Sequence, residues 1–220
     1  EKDYGIRQKG IIKLARETAE LIQGRLILEL GCGPGIIASF YPKNTDVIGL
    51  DFSSATLKRA ARRIQKLVLG DSLSLPFCSE TFQIVTCFFV ASDYAVKERI
   101  FSETFRVLET GGVFLYADYS PDDEHWKLRR EIRAKLGESC GVHIEGQKEL
   151  TEKLKHVGLC VDEVKFMGFI AEFRLERYVK SRNEIQRLKE ISPDLWKRLK
   201  IHEDSGKIER EFVLLASRKR

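Results

Sequence analysis

A chain of 220 residues, 43% hydrophobic and 32% charged, can bury one core and still present a well-solvated surface. It has no run approaching the roughly 20 apolar residues of a membrane span, and its opening, EKDYGIRQKG, lacks a signal-peptide core. The formal charge of +5 gathers late, with nine Lys/Arg against four Asp/Glu over residues 174–200; this reads first as a solvated helical face and second as a docking surface for an acidic partner such as RNA.

Ile11, Leu14, Ala15, Thr18 and Ile22 recur at helical spacing and predict an amphipathic helix ending near Gly24. RLILEL reads as a strand buried on both faces, then Gly31–Gly35 interrupt it and IIASFY resumes in helical style. VIGLD is a second strand, and SSATLKRAARRIQ a helix with Ser53 as N-cap. KLVLGD and FQIVTCFFV are the third and fourth strands. Ile100, Phe101, Thr104, Phe105 and Leu108 line a helix expected to stop at Gly111-Gly112, before a fifth strand, VFLYADY. Such alternation predicts a doubly wound α/β fold, a parallel sheet with helices on both faces.

Beyond Tyr119, Ser120-Pro121-Asp122-Asp123 predicts a helix start with Ser120 as N-cap, running to about Leu136 and ending at Gly137. Leu150, Leu154 and Val157 mark a helix stopped by Gly158, and CVDEVKFMGFIAEF a sixth strand. Residues 176–201 read as two helices parted at Ser192-Pro193, because proline is poorly tolerated inside a helix. REFVLLAS is the last strand. No repeat or low-complexity linker divides the chain, so one domain over 1–220 is expected. Its five cysteines (Cys32, Cys78, Cys87, Cys140, Cys160) are odd in number and form no C-x-x-C pair, as in a reduced, cytoplasmic protein. No metal-ligand set is expected, and the missing initiator Met points to a trimmed N-terminus.

The sharpest local signal is ILELGCGPG, residues 27–35. Glycines at a strand-to-helix turn permit positive φ and let a ligand approach the backbone. Such a turn at the carboxyl end of a parallel strand is the usual ligand crevice of this fold class. The dinucleotide pattern G-x-G-x-x-G is not met, because position 36 is Ile and the third glycine comes one residue early. Asp51, after the second strand, can accept from ribose hydroxyls, a role also open to an acid in NAD enzymes. Asp71 follows the third strand, where a carboxylate can reach an adenine amino group, with Phe52 or Leu73 flanking the ring.

Together ELGCGPG, VIGLDFSSATLKRA, LVLGDSLSLPFCSETFQIV and RVLETGGVFLYAD, in unbroken order over residues 24–118, resemble the class I S-adenosylmethionine (SAM)-dependent methyltransferases, especially the group that includes ubiquinone/menaquinone-biosynthesis methyltransferases. The resemblance implies a seven-stranded, mostly parallel Rossmann-like sheet with a closing antiparallel strand, EFVLLASRK. It implies SAM as cofactor and S-adenosylhomocysteine as product. Glu29, Gly31, Cys32, Gly33 and Gly35 then fall on the methionine and ribose side, Asp51 and Phe52 at the ribose and ring, and Asp71, Ser72 and Leu73 at the adenine. The backbone near Cys87 and Phe88 meets the methionine amino group, and Tyr4 closes over the cofactor. Two departures stand out: Gln83 replaces the family's Asp at the start of the fourth strand, and ASDYAV replaces a histidine-rich segment after it.

Transfer from a sulfonium needs a nucleophile held in line and water kept out, not obligatory acid–base groups. If a base exists, His125, Asp93, Tyr94, Asp118 and Tyr119 are placed for it; for His125 the plainer expectation is a solvent-facing residue in a first helical turn. Phe88, Phe89, Tyr116 and Trp126 are candidate walls of an acceptor pocket or simple core residues. Residues 120–145 and 170–203 are expected to be helical insertions covering the substrate. The expectation is a methyltransferase for a small-molecule acceptor. An RNA or protein acceptor, a SAM-binding protein without turnover, and a nicotinamide oxidoreductase are the alternatives.

Overall fold

A computed structural model describes residues 4–22, 25–90, 97–140 and 144–220. Its centre is one seven-stranded sheet of β1 (Leu26–Leu30), β2 (Asp46–Asp51), β3 (Lys66–Leu69), β4 (Phe82–Phe88), β5 (Leu108–Tyr119), β6 (Leu159–Glu172) and β7 (Lys207–Lys219). The order is β3-β2-β1-β4-β5-β7-β6. β1 to β5 run parallel, and β7 lies antiparallel between β5 and β6. The expected doubly wound, mostly parallel sheet is therefore present, and its order reverses between β1 and β4. That switch point is where chain ends diverge and leave a crevice.

Each sheet face has its own apolar layer. On one, Ile100 and Phe101 of α3 (Lys97–Val107) and Leu150 and Leu154 of α5 (Gln147–His156) pack on Leu28, Val85, Phe114 and Tyr116. On the other, Leu14 and Ile22 of α1 (Tyr4–Ile22) pack on Ile27, Ile84 and Leu115. A third cluster joins α4 (Glu124–Leu136), α6 (Arg182–Ile191) and α7 (Pro193–Ser205) through Leu128, Ile132, Leu188, Leu195 and Leu199, with Phe173 and Tyr178 at the end of β6. Pro193 opens α7 at its first turn, where its missing N–H costs nothing. Among the described residues no helix is long and apolar enough to cross a membrane.

Four local expectations are corrected. IIASFY gives only a single 3-10 turn, Ala38–Phe40, because Tyr41 is already extended and Pro42 follows. α2 (Ser54–Ala60) is capped by Ser53 as expected but ends before Gln65, where Arg63 and Ile64 both donate to the Ala60 carbonyl and Ile64 turns inward. Gly111 and Gly112 lie inside β5 rather than between helix and strand. The register against β4 jumps from Phe82–Leu108 to Ile84–Val113, and Gly111, at φ +80°, takes up the kink. The N-cap of α4 is Asp123, not Ser120. Asp123 Oδ1 accepts from Trp126 N (3.1 Å), while Oδ2 accepts from Arg210 Nε (2.7 Å) and Glu211 N (2.8 Å). One carboxylate thus satisfies the helix end and locks it to β7, which the Ser120 hydroxyl could not do.

Candidate active site

Gly31, Gly33 and Gly35 follow β1 with φ of +59°, +55° and +73°, a region that L side chains rarely adopt. A Cβ on Gly31 would lie 2.3 Å from Cγ2 of Val90, so the turn is pressed against the end of β4. A Cβ on Gly33 would meet only the Gly31 carbonyl, at 4.0 Å, so that side of the turn is open. Gly31→Ala should therefore lower the melting temperature by several degrees and abolish ligand binding at this turn. Gly33→Ala should leave more of the stability intact while still weakening binding, and thermal unfolding with calorimetry separates the two.

Asp51 joins β2 to that turn. Its Oδ2 accepts from Gly33 N (3.0 Å) and its Oδ1 from Ser53 N (2.9 Å), and Cys32 N donates to Leu50 O (3.0 Å). Beside it Phe52 is 76% exposed, an aromatic face at the lip of the crevice that none of the described residues covers. Asp71 is exposed and accepts from Leu73 N (2.9 Å), and Ser72 is buried beneath. The structure thus gathers the ends of β1, β2 and β3, with Glu29, Gly31, Cys32, Gly33, Gly35, Asp51, Phe52, Asp71, Ser72 and Leu73, around one edge of the sheet.

Other assignments shift. The Cys87 side chain is fully buried in the α3/α5 core, and Phe88 packs on the α1 side, so only their backbone is in question at the crevice. Phe89, at φ +60°, donates its N–H to Ala117 O (2.8 Å) and turns its ring onto Tyr119 and Phe212. The Tyr4 side chain, Asp93 and Tyr94 lie outside the described residues. Asp118 is not a free base: its Oδ2 accepts from Lys97 Nζ (3.3 Å) and Tyr116 Oη (2.7 Å), and its Oδ1 from Tyr119 N (2.8 Å). Burial pushes its pKa up while Lys97 pulls it down. Tyr116 is core, not pocket wall. His125 is half-buried rather than solvent-facing, with Nδ1 2.6 Å from Tyr178 Oη and its ring against Trp126. Gln83, which replaces the family's Asp at the start of β4, makes a structural hydrogen bond there, its Oε1 accepting from Leu26 N at 3.0 Å.

Several residues escaped the sequence reading. Arg99 Nε donates to Leu73 O (2.9 Å), Glu103 accepts from Leu75 N (2.7 Å), and Arg106 donates to the carbonyls of Leu75 and Phe77. These α3 side chains hold the loop that carries Asp71 and Leu73. The spacing of Arg99, Glu103 and Arg106 along one helical face was the available signal. Tyr41 and Thr86 were also missed, and both lie near Glu29. Glu29 is buried beneath the glycine turn, and burial raises its pKa to about 8.

Comparison with known proteins agrees with this geometry. The methyltransferase domain family matches residues 28–116, from β1 into β5. The chain is 28% identical over 190 residues to the phthiotriol/phenolphthiotriol dimycocerosates methyltransferase of Mycobacterium tuberculosis, covering 76% of this chain and 70% of that protein. Among solved structures, a candidate methyltransferase from Bacillus halodurans superposes with a TM-score of 0.72 at 22% identity, over 96% of this chain and 99% of that one. The SAM complex of phosphoethanolamine N-methyltransferase 2 from Haemonchus contortus superposes with a TM-score of 0.60 at 17% identity, over 96% and 52%. Ordered motifs, sheet order and relatives converge: residues 28–116 carry the match to the methyltransferase domain family, and the chain is similar in sequence and fold to methyltransferases, one of them solved with SAM bound.

Proposed function

We propose that this chain binds SAM across the ends of β1, β2 and β3 and transfers its methyl group to a small-molecule acceptor by in-line displacement. The observation that carries the cofactor site is the tie between Asp51 and Gly33, which fixes a carboxylate beside three left-handed glycines. Glu29, Gly31, Cys32, Gly33 and Gly35 surround the methionine and ribose, and Asp51 receives the ribose hydroxyls. Phe52 and Leu73 flank the adenine, Asp71 and Ser72 meet its edge, and the backbone at Cys87 and Phe88 faces the methionine end. Tyr4 closes over the top. Bound SAM supplies an activated methyl group; the protein's part is to orient the acceptor and exclude water.

The acceptor side is a run of aromatic contacts leading away from β4. Phe89 touches Tyr119 (5.1 Å between centroids), Tyr119 touches Trp126 (5.8 Å), and Trp126 touches His125 (5.2 Å). This wall joins the glycine-turn side of the sheet to α4, so residues 120–145 and 170–203 act as the substrate-covering insertions of one methyltransferase domain. An acceptor with a substantial apolar part fits it. At least four of the nine basic residues of the run are engaged within the chain: Arg198 pairs with Glu124 and Glu131, Lys200 with Glu203 and Asp204, Arg174 with Glu172, and Lys189 lies over Trp196. That disfavours RNA docking. All five cysteines are free thiols, which fits a cytoplasmic setting.

Labelled methyl transfer from SAM to pooled apolar small molecules, total RNA and protein tests the reading. Label is expected in the small-molecule pool, and label confined to RNA or protein would overturn the acceptor class. Trp126→Ala should raise KM for the acceptor about tenfold or more while leaving the Kd for SAM within twofold.

A further inference from the structure

Beneath the glycine turn lies a buried carboxylate with two hydroxyls beside it, and among the described residues no cation or donor satisfies its Oε2. Glu29 of β1 and Thr86 of β4 are register neighbours on adjacent parallel strands, so their side chains share the α1 face of the sheet. Tyr41, which ends the chain's path from the glycine turn through the 3-10 turn, packs on that same face. All three residues are buried; the Tyr41 and Thr86 hydroxyls lie against each other, and Glu29 Oε2 has no hydrogen-bond partner among the described residues. A buried carboxylate oxygen left unpaired beside two hydroxyls is unusual, since buried polar groups are nearly always paired.

The surroundings contain no compensating cation among the described residues. Across the strands, the neighbours of Glu29 are Gly49 and Thr86. The titratable groups that interact with it are Tyr41, whose hydroxyl is pushed up by burial and by the Glu29 charge, and Cys32, pushed up by burial, Glu29 and Asp51. From α1, Lys13, Arg16 and Glu17 are exposed, and buried Thr18 donates its hydroxyl to the carbonyls of Leu14 and Ala15. An ionised Glu29 therefore has no cation to balance it among the described residues.

We propose that Glu29 binds the positive charge of the cofactor through proton exchange: it is uncharged in the empty site and releases its proton when a cationic ligand settles on the glycine turn, with Tyr41 and Thr86 as positioning hydroxyls for the carboxylate. The inference rests on SAM occupying the glycine turn. SAM carries an ammonium and a sulfonium, and either one offsets the cost that burial places on the carboxylate. On binding, the carboxyl O–H bond breaks, its electron pair stays on the Glu29 carboxylate, and the proton passes to buffer. Burial alone holds Glu29 up to about 8, so the group is largely protonated at neutral pH before the ligand arrives.

The test is calorimetric titration of SAM into the full chain near neutral pH, in buffers of different ionisation enthalpy. Release of about one proton per SAM is expected, with affinity rising up to about tenfold per pH unit below about pH 8 and levelling above it. Glu29→Gln mimics the uncharged form and should fold, yet show weaker, pH-independent binding and no release. Tyr41→Phe should keep binding at the upper end of the range and move the rising limb to higher pH. 5′-Methylthioadenosine, which lacks both charges, should bind without release. SAM binding with no proton released, or with the same release in Glu29→Gln, overturns the inference and leaves the cofactor site standing. Failure of SAM to bind at any pH overturns both.

Discussion

Asp51→Ala is expected to weaken SAM binding by about two orders of magnitude, with a smaller loss of stability. The carboxylate accepts from Gly33 N and Ser53 N, so its removal leaves the glycine turn without its brace and α2 without part of its start. It also takes away the acceptor proposed for the ribose hydroxyls, and charged hydrogen bonds of this kind contribute about 1.5–3 kcal/mol each. Asp51→Asn keeps one acceptor oxygen but loses the charge, and should fall between wild type and alanine. Calorimetry reads the affinities and thermal melts the stability. Wild-type affinity in Asp51→Ala would remove Asp51 from the cofactor site.

The largest effect on stability is expected at Lys97. Its ammonium is buried between Asp118 Oδ2 (3.3 Å) and Glu145 Oε2 (3.2 Å), at 3% exposure, where α3 begins against the end of β5. Lys153 pairs with Glu145 from α5, so the cluster fastens two helices to the sheet on one face. Lys97→Met should cost about 3–5 kcal/mol at neutral pH, because it strands Asp118 in a dry site. The pH dependence has a definite sign. Burial already raises the Asp118 pKa, so the folded state holds its proton more tightly than the unfolded state, and that contribution falls as pH rises. Without Lys97 the rise is larger, so the deficit of the variant should be greatest near neutrality and shrink as Asp118 is protonated in acid. The double variant Lys97→Met/Asp118→Leu should recover a good part of the loss. Urea unfolding at two pH values measures all three, and a deficit that grows in acid would contradict the assignment of the charges.

The sheet and the glycine turn were legible because the determinants are local. Short near-continuous apolar runs such as RLILEL, closed by glycines, read as strands buried on both faces, and Gly31, Gly33 and Gly35 announce a turn whose φ values other residues resist. The same holds for Asp51 and Asp71, which directly follow strands that the hydrophobic pattern makes visible. What the sequence hid was long-range competition. Ser120 and Asp123 are equally good caps by local rules; Arg210, 87 residues away, decides between them. Asp118 looked available as a base because its partner Lys97 lies on another element. His125 looked exposed until Tyr178, 53 residues on, covered it. The polar group under the turn depends on β1–β4 register, which no single-segment pattern encodes.

The central claim is most directly tested by titrating SAM, S-adenosylhomocysteine and NAD separately into the purified, ligand-free protein. Micromolar binding of the first two with none for NAD is the predicted result. Silence from SAM and S-adenosylhomocysteine in protein shown to be folded, or binding of NAD in their place, would contradict the account.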